Sequence, residues 1–99
     1  MIKHIVMFKV KAQSSEEKTF IVNNLKNMLD QLKQIIKEIQ YLETGINFSA
    51  RNTAYDLVLI TEFLNREDLQ IYITDPDHRR VAEYIDTIRE QTAVVDYEY

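Results

Sequence analysis

Three side chains carry most of the chemistry this sequence can offer: His4, Tyr72 and His78. A histidine titrates near neutral pH, so its imidazole can take up or give back a proton. A tyrosine hydroxyl can donate a hydrogen bond to a carbonyl or phenol oxygen. Both histidines fall on apolar faces. His4 lies in a row with Ile2, Val6 and Phe8, and His78 leads a stripe continued by Val81, Ile85 and Ile88. Tyr72 shares a helix face with Leu69 and Ile73. All three can therefore meet between a sheet and its helices. His78 is the better base, because it falls in the first turn of a helix, where the positive end of the dipole disfavours a cationic ring. Asp75 and Asp77 act in the opposite sense. His4 is expected to orient a ligand or to pair with Thr61. The plainer alternative is a filled core, with satisfied histidines and a tyrosine whose hydroxyl reaches the rim.

Other constellations are poorer. Glu16-Glu17 and Asp75/Asp77 are more simply helix-start carboxylates than metal ligands. Glu43 and Glu62 have no histidine partner in sequence, so no metal site is expected. Cysteine is absent, which removes disulfides, zinc-thiolate sites and thiol nucleophiles. The single Gly45 cannot build a phosphate loop. Ser14, Ser15 and Ser49 sit at cap or loop positions with no neighbouring base. No cofactor is implied.

The length of 99 residues predicts one domain, residues 1–99. Hydrophobic residues make up 45% and charged residues 28%, which suits a globular chain rather than a disordered one. The formal net charge is −4 and the cations are scattered, which disfavours a nucleic-acid partner. No stretch is long and apolar enough to span a bilayer, and the apolar run at the N-terminus is interrupted by charges, unlike a signal peptide. Cytoplasmic residence is expected, with no membrane partner.

The elements that must hold the three residues follow from periodicity. Residues 2–11 alternate, with Ile2, His4, Val6, Phe8 and Val10 on one face and Lys3, Ile5, Met7, Lys9 and Lys11 on the other. Ser14 and Glu17 have capping-box spacing and open a helix. Its inward stripe is expected at Ile21, Leu25, Met28, Leu32 and Ile35, with an end between Asp30 and Lys37. Residues 38–48 and 54–64 read as two strands around a loop at Ser49 to Thr53. Asn65 caps a short helix, with Leu64 and Leu69 at staple positions. Asp75-Pro76 opens another helix, and residues 93–99 form a last strand.

The order β-α-β-β-α-α-β points to an α+β, ferredoxin-like fold. Its four-stranded antiparallel sheet has spatial order 4-1-3-2 and helices on one face. If paired positions of the first and third strands sum to 65, Lys3 opposes Glu62 and Lys9 opposes Asp56. The face away from the helices then carries Ile5, Met7, Val58 and Ile60 at its centre, inside a charged rim. Such a patch is expected to be a homodimer interface, two sheets stacking into a dimeric α+β barrel. A solvent-facing sheet with a few exposed aliphatics is the alternative.

The segments MIKHIVMFKVK, AYDLVLITEF, REDLQIYITDPDHRRVAEYI and VVDYEY, in that order, resemble the stress-responsive A/B barrel (Dabb) domain family. The resemblance covers almost the whole chain. It implies the ferredoxin-like subunit and the dimeric barrel, but no single activity. One plant branch is a polyketide cyclase performing an intramolecular aldol condensation without a cofactor. His4, Tyr72 and His78 match positions of that cyclase's essential or pocket-lining residues. Leu57 stands where the cyclase has another histidine, so the pocket here is expected to be more apolar. Three functions follow as expectations: a domain binding a small apolar or aromatic molecule, or a cofactor-free enzyme built on the same pocket; a purely structural stress-related dimer; and a regulatory partner for another protein.

Overall fold

A computed structural model describes all 99 residues. Strand β1 (Ile2–Val10) leads into helix α1 (Ser15–Ile35). Strands β2 (Tyr41–Ile46) and β3 (Leu57–Phe63) form a hairpin, followed by α2 (Arg66–Thr74), α3 (Pro76–Ile88) and β4 (Arg89–Glu98). The sheet order is β2-β3-β1-β4, antiparallel throughout, as expected.

The N-cap bonds are made as the sequence implies, although the Glu17 side chain makes no return bond to the Ser14 amide. The Glu17 amide donates to the Ser14 hydroxyl oxygen at 3.1 Å, and the Asp68 amide to the Asn65 side chain at 2.8 Å. The Asp77 amide donates to the Asp75 carboxylate at 2.8 Å. Each satisfies a backbone donor that the helix start leaves free. Leu64, set for a hydrophobic staple, remains more than half exposed.

The register between β1 and β3 sums to 65 from Ile2↔Phe63 to Phe8↔Leu57. Lys3 opposes Glu62, but no ion pair forms there. Glu62 accepts the Tyr99 hydroxyl instead, and the Lys3 ammonium lies over the Tyr99 ring. Asp56 falls just past the ladder. Its carboxylate accepts the Val10 amide and pairs with Lys18 rather than Lys9.

One face of the sheet is roofed by the helices, and the core lies between them. Ile2, Val6, Phe8, Leu57, Leu59 and Phe63 are buried there against Val22, Leu25, Leu29 and Leu32 of α1. The buried stripe of α1 is thus rotated from the expected one. Ile21 and Met28 flank it, and Ile35 is 49% exposed. Steps of three and four from Val22 through Leu25, Leu29 and Leu32 to Ile36 trace the true inward face. Asp30 joins α1 to the sheet by accepting the Thr44 hydroxyl at 2.6 Å, beside Lys26 at 2.8 Å. Burial raises the Asp30 pKa, but these two hydrogen bonds outweigh it and hold the carboxyl below its ordinary value.

Two further boundaries differ from expectation. The hairpin strands are shorter than residues 38–48 and 54–64, and Ile36 and Ile39 are buried in the turn before β2. β4 starts at Arg89, not residue 93, directly after α3. Its first residues, Arg89 to Thr92, are polar and carry no alternation, yet pair with Phe8 to Val10 through a bulge.

The opposite face of the sheet has no helix over it. Ile5, Val58 and Ile60 are half-buried there and Met7 is 37% exposed. β4 adds Ala93 and Val95 beside Met7 and Ile5.

Candidate functional site

The approach of Tyr72 to His78 begins with Pro76. Proline has no amide hydrogen and cannot continue α2, so the chain breaks at Asp75 and restarts as α3. Asp75 ends one helix and caps the next. The break frees the Ile73 carbonyl, because the Asp77 amide that would have met it is taken by Asp75. The His78 ring satisfies that carbonyl: Nδ1–H donates to it at 3.1 Å. A carbonyl can only accept, so the proton sits on Nδ1 and the neutral ring keeps Nε2 as its acceptor.

The structure brings the three sequence-predicted residues together. The Tyr72 ring lies 4.3 Å from that of His78 and 5.9 Å from that of His4, centroid to centroid. All three line a cavity of about 180 Å³ between sheet and helices. Val6 and Phe8 of β1, Leu59 of β3, Leu29 of α1 and Val81 and Ile85 of α3 complete most of its wall. The cavity is smaller than a typical drug-sized site. An apolar cavity of about 150 Å³ is known to hold a benzene ring, so this one suits a single ring with small substituents. Leu57 is buried but does not line it; Leu59 supplies the β3 wall.

Tyr72 is fully buried, and no group of the protein pairs with its hydroxyl. Such an orphan costs free energy in a folded protein. Burial pushes its pKa above the ordinary phenol value, so the hydroxyl stays protonated and remains a donor. Burial lowers the His78 pKa, aided by nearby His4 and opposed by the Ile73 carbonyl and by Asp75. The site thus offers one unused donor and one neutral acceptor.

His4 differs from expectation. Thr61 is its cross-strand neighbour, but the Thr61 hydroxyl donates to the His4 carbonyl at 3.3 Å, not to the ring. The ring pairs through Nδ1 with Asp96 of β4. Asp96 is not among the candidates that residue type and spacing single out. The register that finds it sums to 100, and the match of Ile5 with Val95 and Val6 with Val94 is its signal. Asp96 also lines an open groove of about 350 Å³ against Arg66, Leu69 and Gln70. It therefore stands between His4 and water.

No group of histidines and carboxylates is placed to hold a metal ion. No helix is long and apolar enough to cross a membrane.

Residues 2–99 match the family described as Stress responsive A/B Barrel Domain. Two Arabidopsis thaliana proteins are similar in sequence. Stress-response A/B barrel domain-containing protein DABB1 is 27% identical over 99 residues, covering 98% of this chain and 46% of that protein. A second stress-response A/B barrel domain-containing protein of the same plant is 36% identical over 84 residues, covering 83% of this chain and 30% of that one. The chain spans less than half the length of these relatives. Among solved structures, a dimeric protein of unknown function with a ferredoxin-like fold from Bacteroides fragilis is 32% identical, with a TM-score of 0.89. The match covers 99% of this chain and 95% of that one.

Proposed function

The chain belongs to the stress responsive A/B barrel domain family, and from that premise we propose that it acts as a homodimer whose subunits each bind a small ring-shaped apolar molecule carrying one polar oxygen. The single observation behind the ligand is the buried, unpartnered Tyr72 hydroxyl on the wall of an apolar cavity beside His78. A phenol or cyclic carbonyl compound would fill the apolar space. Its oxygen would accept from Tyr72, and a hydroxyl on it could donate to Nε2 of His78. The dimer would form through Ile5, Met7, Val58 and Ile60, an apolar patch that no helix covers.

The ligand is tested by chemical-shift titration with phenol as the probe. Shifts confined to residues around the cavity in the wild type, and abolished in Tyr72→Phe and His78→Ala, support it. Shifts that persist unchanged in both variants overturn it.

The His4–Asp96 pair favours a second reading, a cofactor-free enzyme. His78 Nε2 would remove a proton from carbon next to a carbonyl while Tyr72 donates to the developing oxyanion. Asp96 would fix the tautomer of His4 and link it to solvent.

A further inference from the structure

One end of the uncovered sheet face carries a feature that its central aliphatics do not explain. A cavity of about 290 Å³ opens at the β2–β3 hairpin, lined by Met7, Ile46, Phe48, Tyr55 and Val58 over Gly45. Phe48 is 100% exposed. It stands in a polar turn, between Asn47 and Ser49, and that turn holds it outward. The Asn47 side chain accepts the Ser49 amide at 3.0 Å and donates to the Ser49 carbonyl at 2.9 Å, fixing the backbone on both sides of Phe48. Gly45 keeps the cavity floor open, since a Cβ there would meet the Val58 Cγ1 at 3.2 Å.

A lone exposed apolar side chain is ordinary. One set on an ordered backbone beside an apolar cavity is the arrangement of an interface anchor, because the backbone share of the ordering cost is already met before association. Met7 and Val58 belong both to the central patch and to this cavity, so the two surfaces are continuous. A partner seated on the patch therefore reaches the cavity wall.

Resting on the homodimer reading above, we propose that the second copy of this chain also covers the hairpin end. Phe48 is buried by the partner, and the cavity beside it receives an apolar side chain from the partner. The dimeric Bacteroides fragilis relative supports a second copy as the occupant. A two-fold contact repeats each anchor, so every dimer buries Phe48 twice.

The chain has no tryptophan, so Phe48→Trp introduces a lone fluorescent reporter. Its emission is measured against concentration alongside the mass by light scattering. The expected result is a blue shift that tracks dimer formation and disappears in the Phe48→Trp, Ile60→Asp double variant. Burial of one phenylalanine is worth a factor of about ten or more. With two per dimer, Phe48→Ser is expected to raise the dissociation constant about a hundredfold. A dimer of the Phe48→Trp variant whose indole keeps the emission of a water-exposed ring overturns the proposal and leaves the sheet-face dimer standing. A wild-type chain that stays monomeric at every concentration overturns both.

Discussion

The rings of Tyr72 and His78 lie 4.3 Å apart, although one closes α2 and the other opens α3. The break at Asp75-Pro76 creates this contact and also frees the carbonyl that orients His78. A backbone requirement thus sets the tautomer of the candidate base. Tyr72 receives no such partner and stays an unspent donor in an apolar space.

Burial holds the His78 pKa below its ordinary value of 6.5. In the unfolded chain the ring takes its proton near that value. Below it, the unfolded state binds more protons than the folded one. Stability is therefore full above about pH 6.5 and falls as the pH drops toward the folded pKa. Urea midpoints measured from about pH 7.5 to about pH 5 should decline in the wild type and decline less in His78→Gln. Phenol affinity should weaken as the pH falls through the folded pKa, because a protonated ring has no acceptor left. Equal slopes in the two proteins would refute this account of His78.

Ile60 sits opposite Ile5 on the uncovered face, with Glu43 on its other side. Its side chain faces away from the core, so Ile60→Asp should leave the far-ultraviolet circular dichroism unchanged. Light scattering should give a dimeric mass for the wild type and a monomeric mass for the variant. A variant that remains dimeric would place the interface elsewhere.

The Asp96 carboxylate accepts from Nδ1 of His4, which keeps the proton on that nitrogen. Asp96→Ala should move the proton toward Nε2, read from the imidazole nitrogen shifts. The cost in stability should stay below about 1 kcal/mol, since the Asp96 side chain is 42% exposed. An unchanged tautomer would mean that Asp96 does not position His4.

Much of this architecture is legible in the chain. The period of two in residues 2–10, with matched apolar and charged positions in β3, gives the β1–β3 register directly. Ser14, Asn65 and Asp75-Pro76 mark the helix starts because each offers a side-chain acceptor to free amides. The convergence of His4, Tyr72 and His78 follows from their apolar rows. Asp96 escapes such reasoning, since its role depends on which residue of β1 it faces, and the polar start of β4 hides that register. The α1 stripe is rotated from its expected place because Ile21, Met28 and Ile35 continue the three-and-four steps through Leu25 and Leu32 as well as Val22, Leu29 and Ile36 do. Sequence spacing alone does not separate two adjacent apolar faces. The size of the expected pocket is not legible in the sequence for a simpler reason: it is the space left after packing, and it depends on every wall at once.

Tyr72→Phe, followed by thermal unfolding with and without phenol, tests the ligand site most directly. Removing an unpaired buried hydroxyl should stabilise the free protein by about 1 kcal/mol. Phenol at about ten times its dissociation constant should stabilise the wild type by about 1.4 kcal/mol and the variant far less. A variant that is less stable than the wild type, or that gains as much from phenol, would contradict a pocket built around the free hydroxyl of Tyr72.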